Sequence, residues 1–458
     1  MEWSPTLDDR TGPVYRRIVD ALTDDIAGGR LRRGQQLPTH RALAKALGID
    51  LTTVTRAYTE ARQRGLTEAR VGQGTFVAES LSPVRHPGAP PVEFDLSMNL
   101  PPQPAAADLE GRITRGISAI QREHGFCAYL NYREPGGSEE ERNAAAAWLR
   151  SRVSGAHGDR LVICPGTQSA LLSLLMTLTS PGDVVLTEAL TYPGMKAAAA
   201  YAGVRLVGVP LDAAGVIPAA LESACRRYAP KAVYLIPTMH NPTTATMPKS
   251  RRQDIAEIIR SNDLVLLEDD AYGALAPDAV PLASLIPERT YFAASVSKCM
   301  APGLRVSFLL TPDGGSAARV GNALRAAVQM PVSLTVALVA RWLRDGTADA
   351  IVAAIREEAA ARQKIAAQAL AGHVFSAHPD GHHIWLPLPR HWSRTEFAAH
   401  VQRQGLVVVT SEAFSVEEPP PHAIRVALGA ARSRAELGRA LHVLATALKS
   451  SAITARVV

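Results

Sequence analysis

Six short apolar runs return between residues 160 and 295: RLVICPG (160–166), DVVLTEA (183–189), VRLVGVPL (204–211), KAVYLIPT (231–238), DLVLLEDD (263–270) and RTYFAAS (289–295). Their apolar centres are close to continuous rather than alternating, which suits strands buried on both faces. Helix-like stretches such as QSALLSLLMTL (168–178) and MKAAAAYA (195–202) lie between them. This alternation predicts an α/β fold, a mostly parallel sheet with helices on both faces. In such a sheet ligands bind beyond the carboxyl ends of the strands. Polar motifs fall at those ends: GTQ (166–168), TYPG (191–194), HNPTT (240–244), EDDAYG (268–273) and SVSK (295–298).

At 458 residues the chain is longer than one ordinary domain. Charged residues make up 20% and hydrophobic ones 47%, a globular rather than a disordered balance. The start, MEWSPTLDDR, lacks a basic stretch followed by an apolar run, so no secretory leader is expected there. The longest apolar candidate, ALLSLLMTL (170–178), falls well short of the roughly 18 residues a membrane helix needs. Cys127, Cys164, Cys225 and Cys299 are scattered and form no paired motif. Neither a disulfide framework nor a metal site is expected, and a reducing cytoplasm is the expected setting.

The net charge of +6 is concentrated in one place. Residues 30–78 hold nine Lys/Arg against three Asp/Glu, and the other 409 residues carry 40 of each. A small basic module joined to a neutral body follows, and basic segments meet nucleic acid. Within the module, GPVYRRIVDALTDDIAGG (12–29) spaces Val14, Ile18, Leu22 and Ile26 along one helix face, with Gly28 and Gly29 as its stop. Thr39 is placed to cap a short helix carrying Ala42, Leu43, Ala46 and Leu47, and Gly48 to end it. Asp50 is placed to cap a longer helix, 51–64, with Val54, Ala57, Tyr58 and Ala61 inward. Two short β-prone runs around Gly72-Gln73-Gly74 then predict a hairpin.

The pattern Leu37-Pro38-x-x-Arg41-x-Leu43-Ala44, Thr52-Thr53-Val54 and Gly72-x-Gly74-Thr75-Phe76-Val77 resembles the winged helix-turn-helix of GntR-type bacterial regulators. The resemblance implies that the second helix of the pair enters the major groove of double-stranded DNA. It puts Arg41, Asp50, Thr52, Thr53 and Thr55 at DNA-facing positions and Gly72 at the wing tip. Leu51 and Thr55 stand where many members are basic, which alters phosphate affinity or base preference. A helical dimerisation or docking module is the competing reading. The domain order expected is a winged helix-turn-helix over 1–78, a proline-rich linker over 79–95, and a body over 96–458.

Each motif of the body has an ordinary explanation by itself: Asn-Pro is a common turn, Asp-Asp a common loop, tyrosine a common core residue. In this order they resemble fold-type-I pyridoxal-phosphate enzymes, the aspartate aminotransferase family, from about residue 96 to 448. The resemblance implies a smaller C-terminal α+β part after the sheet. It implies pyridoxal 5′-phosphate, an aldehyde held as an imine by Lys298. By the same resemblance Ser295, Ser297 and Arg305 grip the phosphate, with Gly166, Thr167 and Gln168 completing the cup. Asp269 pairs with the pyridine nitrogen, Asn241 and Tyr272 bond the phenolic oxygen, and Tyr192 stacks on the ring. Lys298, Asp269 and Tyr272 are the catalytic set it implies. Arg425, in AIRVALGA (423–430), matches the arginine that binds a substrate carboxylate, with Asn241 beside it. Tyr132, in NYREPGG (131–137), matches a tyrosine that reaches the neighbouring subunit's phosphate, which implies a homodimer. Thr244 departs from the family pattern, standing where a glycine is usual.

A GntR-type reader joined to an aminotransferase-like body resembles the MocR family of bacterial regulators. That resemblance implies a transcriptional regulator sensing an amino acid or amine by imine exchange at Lys298. An active aminotransferase, passing an amino group from an amino acid to a 2-oxo acid, is the alternative, since the intact residue set permits it. A body that has lost the cofactor is a third reading, against which the complete residue set argues.

Overall fold

Capping geometry decides where the N-terminal helices begin and end. A computed structural model describes residues 3–6, 13–27, 30–31, 34–63, 66–70, 74–77 and 92–450. Helices span Val14–Ala27, His40–Leu47 and Leu51–Gln63. The Thr39 hydroxyl accepts from the Ala42 amide at 3.2 Å, and Gly48 closes that helix in the left-handed region at φ 64°. Asp50 Oδ1 accepts from the Thr52 amide at 2.7 Å, opening the next helix where expected. Ile18, Leu22, Leu43, Val54, Ala57, Tyr58, Ala61 and Val77 are buried together as this unit's core. The buried Tyr58 hydroxyl donates to the Pro38 carbonyl at 3.0 Å. Strands Thr67–Arg70 and Gly74–Val77 pair antiparallel as the hairpin. Gly28, Gly29 and the expected wing-tip residue Gly72 lie outside the described residues.

The chain divides into two units, Met1–Pro90 and Pro91–Val458. The second reaches back into the expected linker. Phe94–Asp95 form a short strand that runs parallel to Leu406–Val407, and Phe94 is buried. Nothing local marks that pairing, because its partner lies some three hundred residues along the chain.

Seven strands make the central sheet, in the order Leu161–Cys164, Ser307–Leu310, Thr290–Ser295, Val265–Asp270, Ala232–Leu235, Val184–Glu188 and Arg205–Val209. All six expected strands are in it. The seventh, Ser307–Leu310, runs antiparallel between Leu161–Cys164 and Thr290–Ser295, so the sheet is mostly and not wholly parallel. Helices such as Thr167–Leu178, Pro193–Ala202 and Lys249–Ser261 pack their apolar faces against it. The strands are buried almost throughout, which is why their sequences lack alternation.

The C-terminal part is the expected smaller α+β layer. Its four-stranded sheet runs Ser376–Ala377, His383–Pro387, Ala423–Ala427, Val409–Thr410, with antiparallel neighbours. Helices Thr347–Ala369, Arg394–Arg403 and Arg434–Lys449 contribute to the apolar core behind it. The segment following Phe94–Asp95 crosses close to this layer. A Cβ on Gly429 would stand 1.9 Å from the Leu100 carbonyl oxygen, so only glycine lets that backbone pass.

Candidate functional site

A cavity of about 220 Å³ opens beyond the carboxyl ends of the parallel strands, lined in part by Lys298, Asp269, Tyr272, Asn241, Tyr192 and Arg305. Thr167, Gln168, Ser295 and Ser297 also line it, so ten of the expected cofactor residues meet there. Their sequence separation collapses because most of them sit at or just past a strand's carboxyl end or at a helix start.

Asp269 is the last residue but one of the strand Val265–Asp270 and is 4% exposed. The Tyr234 hydroxyl donates to its Oδ2 at 2.8 Å, and the Ala271 amide donates to Oδ1 at 3.2 Å. Burial pushes the Asp269 pKa up to about 6, against these two donors and the Lys298 charge. Lys298 follows the strand Thr290–Ser295, and burial pulls its pKa down to about 8, with Arg425 adding to the effect. An amine so lowered is neutral far more often at neutral pH than an exposed lysine, and is a better nucleophile.

Arg305 brings a guanidinium to the same cavity. Gly166 precedes the helix Thr167–Leu178 at φ 93°. A Cβ there would fall 2.3 Å from Arg305 Nη2, so glycine lets the guanidinium approach the helix start. Arg305 Nη2 donates to the Pro165 carbonyl at 2.9 Å. Gln168 Nε2 donates to the Gly194 carbonyl at 2.8 Å, tying that helix to the turn carrying Tyr192. A guanidinium, two serines and a helix N-terminus together favour a phosphate.

Arg425 is 7% exposed and lies deeper, on the strand Ala423–Ala427. Its Nη1 donates to Asn241 Oδ1 at 2.9 Å, its Nη2 donates to the Ser97 carbonyl, and its Nε is buried with no partner. It stacks over the Phe414 ring at 4.9 Å. Tyr132 is 83% exposed and does not line the cavity of its own chain. Thr244 occupies the left-handed region at φ 66° while 5% exposed, so a conformation suited to glycine is retained with a branched side chain.

Sequence reasoning missed several participants. Met98, Leu100, Ile236, Ala271 and Pro302 also line the cavity. Asn99 gives its backbone carbonyl to Lys298 Nζ at 2.5 Å and its amide nitrogen to the Tyr272 hydroxyl at 2.7 Å. His382 Nε2 meets the Lys298 carbonyl at 2.7 Å. Glu188 lies fully buried behind Asp269, its pKa pushed up to about 8 by burial. The only sequence signals were polar residues inside otherwise apolar stretches, Asn99 in SMNLPP and the pair His382-His383 before IWLP.

The expected DNA-facing residues sit on the capped helices of the first unit. Arg41, Asp50, Thr52 and Thr55 are exposed and Thr53 half-buried. The Asp50 carboxylate is engaged by Thr52, whose hydroxyl and amide hold its pKa below the ordinary value. Thr55 Oγ1 lies 3.2 Å from His40 Nδ1. Among the described residues no cluster of candidate metal ligands occurs, and no helix is long and apolar enough to cross a membrane.

The residues present fit pyridoxal phosphate: a lowered-pKa amine, a buried carboxylate, a glycine cradle against a guanidinium, and a second buried arginine with an unpartnered Nε. Comparison with known proteins covers both parts of the chain. Residues 93–444 match the family of class I and II aminotransferases, and residues 14–77 match the gntR family of bacterial regulatory proteins. An uncharacterised HTH-type transcriptional regulator of Bacillus subtilis, YdeF, is 29% identical over 97% of this chain and 96% of its own length. The vitamin B6 salvage pathway transcriptional repressor PtsJ of Salmonella typhimurium is 30% identical over 91% of this chain and 94% of its own. The α-aminoadipate aminotransferase LysN of Thermus thermophilus shares the body's fold, with a TM-score of 0.71 at 24% identity, covering 78% of this chain and 92% of that one. The chain thus belongs to the class I and II aminotransferase family, carries a GntR-family module ahead of that body, and is a transcriptional regulator of the MocR type.

Proposed function

We propose that this regulator binds double-stranded DNA as a homodimer and holds pyridoxal phosphate in the body cavity, where a carboxylate-bearing amine is its signal. The observation that carries the reading is the meeting of Lys298 and Asp269 in one cavity whose wall also carries Arg305. When bound, pyridoxal phosphate supplies an aldehyde that a primary amine can capture. Lys298, whose amine burial makes easier to deprotonate, would hold the group there. Asp269 keeps a positive charge beside it stable, Arg305 and the start of helix Thr167–Leu178 hold the phosphate, and Tyr192 covers the ring. Arg425 offers a buried guanidinium to the carboxylate of the incoming amine, with its Nε still to be satisfied. The exposed Tyr132 is assigned to the partner subunit's cavity.

The deciding experiment is the visible absorption of protein supplied with pyridoxal phosphate, through a titration with amino acids and then a 2-oxo acid. The reading expects a visible band that needs Lys298, a shift with one amino acid, and no return on adding the oxo acid. Loss of the band followed by its return with the oxo acid makes the protein a working aminotransferase. A change of DNA affinity on adding pyridoxal phosphate alone makes the cofactor itself the signal. No band at all refutes the cofactor.

A further inference from the structure

We propose that Asn99 and His383 form a positioning relay that fixes the direction of the Tyr272 hydroxyl hydrogen, aiming it into the cavity. The relay starts at a backbone carbonyl, whose role admits no choice. His383 Nε2 lies 3.3 Å from the His240 carbonyl oxygen, which can only accept, so Nε2 carries a hydrogen. His383 is 1% exposed, and burial first and Arg425 second hold its pKa well below the ordinary value, so the ring is neutral. A neutral ring with its hydrogen on Nε2 presents a bare acceptor at Nδ1.

That acceptor faces Asn99 Nδ2 at 3.0 Å. The amide must therefore turn its NH2 toward His383; the flipped amide would set a carbonyl oxygen against a ring lone pair. The second hydrogen of the same NH2 points at the Tyr272 hydroxyl oxygen, 2.7 Å away. Tyr272 thus accepts on that side and must send its own hydrogen elsewhere. It lines the cavity, so the hydrogen is presented there.

The relay is held firmly. Asn99 is 5% exposed, its backbone carbonyl accepts from Lys298 Nζ, and its side-chain Oδ1 is buried with no partner, so the amide's orientation rests on its two donated bonds. His383 sits on a strand paired with Ala423–Ala427, and Gln363 Nε2 donates to its carbonyl at 3.2 Å. The charged and titratable groups facing His383 are Arg425, His382 and His240, and the Tyr272 ring centre lies 5.9 Å from its own. Arg425 carries a standing positive charge and opposes a further one, burial acts the same way, and together they outweigh the His240 carbonyl bond, which alone favours the charged ring.

The chemical consequence rests on the pyridoxal-phosphate reading. With pyridoxal phosphate bound, a hydrogen donated by Tyr272 would draw off negative charge from its phenolic oxygen. That weakens the hold of the nearby lysine nitrogen on its proton and lowers the pH midpoint of the visible band.

Two measurements on the cofactor-loaded protein test the relay. The first is nitrogen NMR of histidine-labelled protein, with the His383 signal assigned by its loss in His383→Gln. The relay expects a neutral ring bearing its hydrogen on Nε2; a hydrogen on Nδ1, or a doubly protonated ring, overturns it. The second is the pH midpoint of the visible band. Asn99→Asp, which can only accept, should raise it by about one pH unit, in the direction of Tyr272→Phe. His383→Ala should raise it as well. His383→Gln should restore it, since glutamine can give its NH2 to His240 and its carbonyl to Asn99. An unmoved midpoint in Asn99→Asp, or equal shifts in His383→Ala and His383→Gln, overturns the relay. Absence of the band in every variant and in the wild type would refute cofactor binding instead, and the histidine spectrum would still judge the relay.

Discussion

The DNA-reading module and the body keep their functional side chains in opposite settings. In the module Arg41, Thr52 and Thr55 are exposed on helices whose buried side, Leu43, Val54 and Tyr58, is ordinary apolar core. In the body Asp269, Asn241, Tyr272 and Arg425 are each less than one-tenth exposed. A buried polar group must find partners or cost free energy, so these side chains hold one another: Tyr234 donates to Asp269, Asn99 to Tyr272 and Arg425 to Asn241. An exposed one is free to change without affecting the fold. The body therefore displays its chemistry openly, whereas the module displays its scaffold and leaves its target to a few replaceable side chains.

The largest effect should come from Lys298→Ala. It should abolish the visible band and every response to amines while leaving DNA affinity intact, which separates the two regions in one variant. Lys298 also carries a pH signature in cofactor-free protein. Its folded pKa of about 8 lies below the ordinary 10.5, so burying it costs stability in full below pH 8. The cost fades as pH rises from about 8 to 10.5, where the unfolded chain binds the extra proton. Lys298→Met should therefore melt at a higher temperature than the wild type at pH 7, with the gap closing toward pH 10.5. Thermal melts across that range give the answer, and a gap that widens contradicts the assignment.

Next in size is Arg425→Gln. It should weaken binding of a carboxylate-bearing amine by about 100-fold, the loss of a charge-assisted pair, and leave an amine without a carboxylate unchanged. Spectral titrations with the two ligands read that ratio directly. Arg41→Ala acts only on the exposed side. It should lower affinity for all DNA sequences alike and reduce the slope of log affinity against log salt by about one. A loss confined to one sequence would instead make Arg41 a base reader. The smallest effect is Thr39→Ala, which removes the cap seen at the Ala42 amide and should cost about 1 kcal/mol in the module's stability.

The same contrast explains what the sequence disclosed. Lys298, Asp269 and Asn241 were legible because each follows an apolar run, and a strand end in a parallel sheet has a known use. Asn99 was not, because its partners Tyr272 and His383 lie 173 and 284 residues away and no local period marks them. His383 was not, because two histidines before a short strand carry no spacing that implies a role. The strand Ser307–Leu310 escaped for a different reason: three apolar residues behind a serine are too short a run to stand out, and its antiparallel direction breaks the alternation of the others. The helix caps at Thr39 and Asp50 were legible because a cap is a local pattern. The base-reading contacts were not, because their physical cause is DNA, which lies outside the chain.

If an amine in the cavity is the regulator's signal, its binding must change the affinity of the module for DNA. This is tested most directly by measuring amino-acid affinity, from the visible band, with and without a saturating operator selected by the protein from a random-sequence pool. Operator affinity is then measured with and without that amino acid. Coupling is reciprocal, so the account predicts that both affinities change by the same factor, between about 5-fold and 150-fold. An amino acid that shifts the band yet binds equally well to free and DNA-bound protein would contradict it.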